Sequence, residues 1–195
     1  MSKSLDKATT LVPIGIDCSV ALHLRDCKKR TQAFPFDWNV TPIRSAIRLI
    51  QNDFSEFMSP RNLIYLPKAS RTLVQEQGNE TRIFPQMVTP VVDTKYKILF
   101  PHDFSIRGKE DLYIVREKYN RRISRLKNLL KENKKIVFIY NLREPNFWQL
   151  EQYRLAKVSF PIDKIGEISS DFTAMRDRYI NTNMRLLPLV EFGIV

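Results

Sequence analysis

"KIVFIYN", residues 135–141, is an unbroken apolar run between a lysine and an asparagine. A strand that met water on one face would alternate apolar with polar residues. One covered on both faces need not, so this run predicts a buried parallel strand. The preceding chain supports that reading. "KEDLYIVREKYNRRISRLKNLLKENKK", residues 109–135, carries Leu112, Val115, Tyr119, Ile123, Leu126 and Leu130 at helical spacing. That pattern predicts one long helix leading into the strand.

Working outward, "KYKILFPHDF" (95–104) reads as a strand ending in a proline-kinked loop that presents His102 and Asp103. "TLVPIGI" (10–16) reads as a short buried strand. Asp17 then offers an N-cap, and "CSVALHLRDCKK" (18–29) continues as a helix with Val20, Ala21 and Leu24 at helical spacing. Pro35 and Pro42 exclude regular structure from "TQAFPFDWNVTP" (31–42). "IRSAIRLIQNDFSEFM" (43–58) returns to helical period through Ile43, Ile47, Ile50, Phe54 and Phe57. From residue 62 to 93, apolar runs cut by Pro67, Pro85 and Pro90 predict short strands or an irregular excursion. "PNFWQLEQYRLAKVSF" (145–160) predicts a helix with Pro145 in its first turn. "FTAMRDRYI" (172–180) predicts another, and "MRLLPLVEF" (184–192) a last strand interrupted by Pro188.

The expected fold is therefore α/β, with a central, mostly parallel sheet flanked by helices. A flexible N-terminus (1–10) would precede a single domain (11–195). At 195 residues and 43% hydrophobic composition the chain can bury one good core.

The formal charge is +11. It suits an anionic partner, nucleic acid or an acidic surface, for which Arg121, Arg122 and Arg125 on the long helix are the candidate contacts. The bland alternative is a solvated face whose late basic residues favour the helix dipole. Cys18 and Cys27 are the only cysteines. Nine residues apart in one helix, they lie about 180° apart around its axis, so no disulfide between them is expected. Unpaired thiols suit a reducing compartment. "MSKSLDKATT" lacks an apolar signal core, and no run approaches the ~20 apolar residues of a membrane span. A cytoplasmic location is the expectation. There is no Cys-x-x-Cys or His-x-x-x-His pair, no glycine-rich phosphate loop and no Gly-x-Ser-x-Gly elbow. Those absences speak against a metal site, a common nucleotide cofactor and a serine-elbow hydrolase, and no cofactor is expected.

What remains is a thiol and two histidines. The first turn of a helix presents unpaired N–H groups and the positive end of the dipole, which favour a thiolate at Cys18 and can hold an oxyanion. Asp17 opposes this unless its carboxylate turns inward as a cap. Against this, a cysteine at a helix start is more often a small buried packing residue. His23, five residues along, points about 140° away from Cys18. His102, on its loop, is the better partner.

Four segments then occur in one order: "IGIDCSVALHLR", "PFDW", "FPHDF", and an Arg-Arg helix leading into an apolar strand. Over about residues 12–142 this pattern resembles a largely uncharacterised family of papain-like cysteine peptidases. The resemblance implies a nucleophilic Cys18 and a general-base His102, acting on an amide or ester in a protein or small acyl substrate. It leaves the third member open among Asn141, Asp103 and Asp37, and places Asp17, Ser19 and Trp38 beside the substrate. For Asp37 a structural reading stands alongside: a turn cap or an arginine's partner.

Overall fold

The computed structural model describes residues 9–77, 80–132, 135–141, 144–161 and 184–189. In chain order its elements are β1 (Thr10–Ile14), α1 (Ser19–Asp26), α2 (Ile43–Gln51), β2 (Leu63–Tyr65), β3 (Ala69–Gln77) and β4 (Glu80–Val88). They continue with β5 (Val91–Asp93), β6 (Ile98–Phe100), α3 (Leu112–Lys131), β7 (Ile136–Asn141), α4 (Phe147–Leu155) and β8 (Met184–Leu189).

β7 is buried along its whole length and lies between β1 and β8, parallel to both. Its lack of alternation has a direct cause. Ile136, Phe138 and Tyr140 join Val12 and Ile14 in the main core with α2 and α3. Val137 and Ile139 join Leu11 on the opposite face, against Val20 and Leu24 of α1. Both faces are covered, so both must be apolar.

The class is mixed α/β, but the expected central, mostly parallel sheet is replaced by three small sheets among the described residues. The parallel part is confined to β1, β7 and β8. β2, β5 and β6 form an antiparallel sheet, and β3 and β4, nine residues each, an antiparallel hairpin. The reason lies in the connections. Parallel neighbours need crossovers of a dozen or more residues, whereas β5 and β6 are joined by only four residues and pair antiparallel. The second sheet also has two covered faces. Leu63, Val91, Ile98 and Phe100 enter the main core, while Val92 and Leu99 pack under Tyr153 of α4.

Three further boundaries differ from expectation. α2 stops at Gln51 rather than running to residue 58, because Asp53 adopts a left-handed φ of 59°. The Phe54 N–H then reaches back to the Leu49 carbonyl at 2.7 Å and the Asp53 N–H to that of Ile50 at 3.3 Å, closing the helix in a Schellman motif. α4 begins after Asn146, whose side chain and that of Gln149 cap each other reciprocally, so Pro145 precedes the cap. Pro188 lies inside β8, opposite Tyr140. The helix expected over 172–180 falls outside the described residues. Left-handed lysines follow the ends of α1 (Lys28, φ 54°) and α4 (Lys157, φ 55°). Among the described residues no helix is long and apolar enough to cross a membrane.

Candidate active site

β1 ends just before Gly15, and four residues later α1 begins at Ser19. Cys18 occupies the N-cap position, half-buried. The Asp17 carboxylate does turn inward: its Oδ1 accepts the Ser19 N–H at 2.8 Å. This corrects its expected place by one residue, since the cap position itself belongs to Cys18. The loop is fastened from three sides. Thr41 N–H donates to the Gly15 carbonyl at 2.8 Å, Gln149 Nε2 to the Ile16 carbonyl at 2.6 Å, and Asn141 Nδ2 to Ser19 Oγ at 3.0 Å. Gln149 has a second duty, because its Oε1 accepts the Asn146 N–H at 2.9 Å in the cap of α4. Gln149→Ala should therefore cost roughly 1–3 kcal/mol, by loss of a buried acceptor's partner and half of a capping box. Urea denaturation measures this; an unchanged midpoint would mean that water replaces both bonds without loss.

The second half of the site is the bend after β6. His102 and Asp103 both line the cavity that Cys18 lines. Adjacent residues on a strand would point apart, but the strand has already ended at Phe100. Asp103 accepts a hydrogen bond from Tyr119 Oη at 3.0 Å and an ion pair from Lys118. Burial opposes its ionisation, yet Lys118, His102 and Arg122 outweigh this and hold its carboxyl below the ordinary carboxylate value. Tyr119 is anchored in turn: its ring meets Phe57 and Phe100 edge-on, and Asn39 Nδ2 donates to its hydroxyl at 3.4 Å. For His102, burial lowers the imidazole pKa; Asp103 pulls it up, but Lys118 and Arg71 push it down again, and the net direction is down. The ring is thus held neutral, able to accept a proton.

The cavity measures about 480 Å³ and brings together Asp17, Cys18, Trp38, His102 and Asp103. It also contains side chains that the sequence gave no reason to group with them: Arg71 from β3, Lys118 and Arg122 from α3, and Gln149 from α4. Arg71 stacks on the Trp148 ring at 3.9 Å; burial lowers its pKa, partly offset by attraction to Cys18. Other candidates lie elsewhere. Asp37 is buried and bound by Arg30, whose Nη2 and Nε lie 2.6 and 3.2 Å from its Oδ2, and by the Phe34 N–H at 3.1 Å. It does not line the cavity, and neither do Ser19 or Asn141. His23 contacts Cys27 at 3.7 Å on an exposed face of α1, and no disulfide joins the two cysteines. Arg121 and Arg125, one turn apart on α3, are both exposed, while Arg122 is half-buried. Arg122 turns into the cavity, and Arg125 Nη1 donates to the Ala33 carbonyl at 3.4 Å. Among the described residues no three His, Cys, Asp or Glu side chains cluster as metal ligands.

Comparison with known proteins places this geometry in context. A curated mimivirus protein, "Uncharacterized protein R408" of Acanthamoeba polyphaga mimivirus, is 28% identical over 143 residues, covering 71% of this chain. The matched region spans only 64% of that protein's length. No solved structure matches. The profile of the family described as "Putative papain-like cysteine peptidase (DUF1796)" matches residues 9–163, a span that contains every residue of the cavity. The chain belongs to the DUF1796 family.

Proposed function

We propose that the cavity is the active site of a thiol acyl hydrolase or acyltransferase, cleaving an amide or ester through Cys18 and His102. The observation that carries this reading is the shared cavity. A thiol at the amino end of α1 and an imidazole held neutral by burial and neighbouring cations face the same space. Cys18 Sγ attacks the substrate carbonyl while His102 takes the thiol proton and then passes it to the leaving group. Asp103 lies beside His102 and stabilises the imidazolium as it forms. The amino end of α1 supports the thiolate and the oxyanion of the tetrahedral intermediate. Water, for a hydrolase, or a second nucleophile, for a transferase, then releases the acyl group. Asn141 acts at one remove, holding Ser19 and with it the start of α1.

The direct test is the pH dependence of Cys18 alkylation by iodoacetamide in a Cys27→Ala background. A thiolate titrating well below the ordinary ~8.5 supports an activated nucleophile, and a normal or inert thiol refutes it. A second expectation concerns turnover. Because the His102 pKa is lowered, the base stays deprotonated to a lower pH than an ordinary histidine. The acid limb of kcat/KM should therefore fall below the unperturbed ~6.5. A limb at or above that value would remove His102 from the role.

A further inference from the structure

Arg71 and Arg122 stand out among the charged groups of the cavity. Asp17, Arg71, His102, Asp103, Lys118 and Arg122 all line it. Lys118 is committed to Asp103, and the Asp17 carboxylate is turned to the first turn of α1. Arg122 acts on Asp103 and Asp37, and Arg71 on Cys18, through charge, with no hydrogen bond from Arg71 Nε or Arg122 Nη1 among the described residues. Arg71 Nε and Arg122 Nη1 are shielded from water and donate to no acceptor in exchange. Each guanidinium instead lies against a ring: Arg71 on Trp148 at 3.9 Å and Arg122 over Tyr119 at 5.2 Å. Stacking fixes an arginine's plane while leaving its donor edge for a planar anion.

We infer that Arg71 and Arg122 form a carboxylate-binding subsite in the same cavity as Cys18, so that the acyl substrate carries a carboxylate close to the carbonyl under attack. This rests on the reading of Cys18 as nucleophile and narrows it to a substrate class. A carboxylate fits the planar, two-oxygen edge that guanidinium recognises. It also balances a lining with three basic and two acidic side chains. The carboxylate has two possible sources, the C-terminus of a peptide or an acidic side chain.

Two alkylating reagents of nearly equal size separate the claims. Iodoacetamide is neutral and iodoacetate carries the carboxylate; in both, the Cys18 sulfur displaces iodide and forms one S–C bond. In the Cys27→Ala protein, the iodoacetate-to-iodoacetamide rate ratio for Cys18 should exceed that for 2-mercaptoethanol by roughly tenfold or more, with saturation in iodoacetate alone. Arg122→Gln and, separately, Arg71→Gln should return the ratio towards the reference. A change in thiolate fraction alters both rates together and leaves the ratio intact, so an effect of Arg71 on the thiol does not imitate the result. A reference-like ratio in the parent protein, or one that neither substitution changes, overturns the subsite. A slow iodoacetamide reaction with ordinary pH dependence instead overturns the nucleophile. N-acetyl-Ala-Ala and N-acetyl-Glu-amide, tested as protectants, distinguish α-carboxylate from side-chain carboxylate. Protection by neither overturns the assignment to a peptide carboxylate.

Discussion

Cys18→Ala is expected to abolish acyl transfer, lowering kcat on p-nitrophenyl acetate by roughly 10³-fold or more, about 4 kcal/mol of transition-state stabilisation. An activated ester is the appropriate probe because it demands little of substrate recognition and reports the thiol directly. The size of the effect follows from the chemistry. Neither His102 nor Asp103 can replace a covalent sulfur, and the residue left at the start of α1 would be a methyl group. Cys27→Ala should leave turnover unchanged, since Cys27 is exposed and in contact with His23 instead of the cavity. A burst of p-nitrophenol equal to one acyl group per chain should accompany the active protein and vanish with Cys18. Full activity in Cys18→Ala would reject the proposed reaction outright.

Asp37→Ala should act on stability instead. The Asp37 side chain is fully buried, and a single oxygen, Oδ2, takes both Arg30 contacts and the Phe34 N–H. Burial raises its carboxyl above the ordinary value even though Arg30 and the Phe34 N–H pull the other way. The carboxylate is thus held at some cost by its partners, and removing it strands them. Breaking a buried pair costs about 3–5 kcal/mol, and the partial exposure of Arg30 favours the lower end. For a chain of this size, about 3 kcal/mol corresponds to a fall in Tm of roughly 6–12 °C. Calorimetry measures it, with the esterase rate of the folded variant as the companion readout. A large Tm loss with turnover retained fits a residue that holds the Pro-Phe-Asp-Trp loop. Turnover lost at an unchanged Tm would return Asp37 to the list of groups acting on His102.

The two cases mark where reading the sequence succeeds. β7 and β1 were legible because strands covered on both faces leave unbroken apolar runs, and α3 because its stripe is long. The β3–β4 hairpin was not. Pro85 lies within it, paired with Thr72, and polar residues such as Ser70 and Arg71 dilute any apolar pattern. Missing the hairpin meant missing Arg71, whose place in the cavity depends on it. The stop of α2 was hidden for a related reason: its left-handed residue is Asp53 and not glycine, so no compositional signal marks it. At the site, Cys18 was singled out by its place at a helix start and His102 by its loop, and motif order agreed. Lys118 and Arg122 looked like members of a basic helix face, and only packing against Tyr119 and Asp103 distinguishes them from Arg121 or Lys131. Asn146 and Gln149 had the spacing of a capping box, which Pro145 overshadowed.

The lysines that end α1 and α4 bear on a different matter, the meaning of the chain's basicity. Helices commonly stop at glycine because a left-handed residue with a side chain is strained. This chain has only five glycines and uses Lys28 and Lys157 at those stops. A lysine there gives up backbone ease but sets a positive charge against the negative pole of the helix, worth about 0.3–1 kcal/mol. Part of the +11 excess is therefore internal accounting between side chains and backbone dipoles, settled before any partner arrives. A titration curve or an isoelectric point measures that charge without revealing its addressee, and kinship in pI with nucleic-acid binders is correspondingly weak grounds for classing this protein among them.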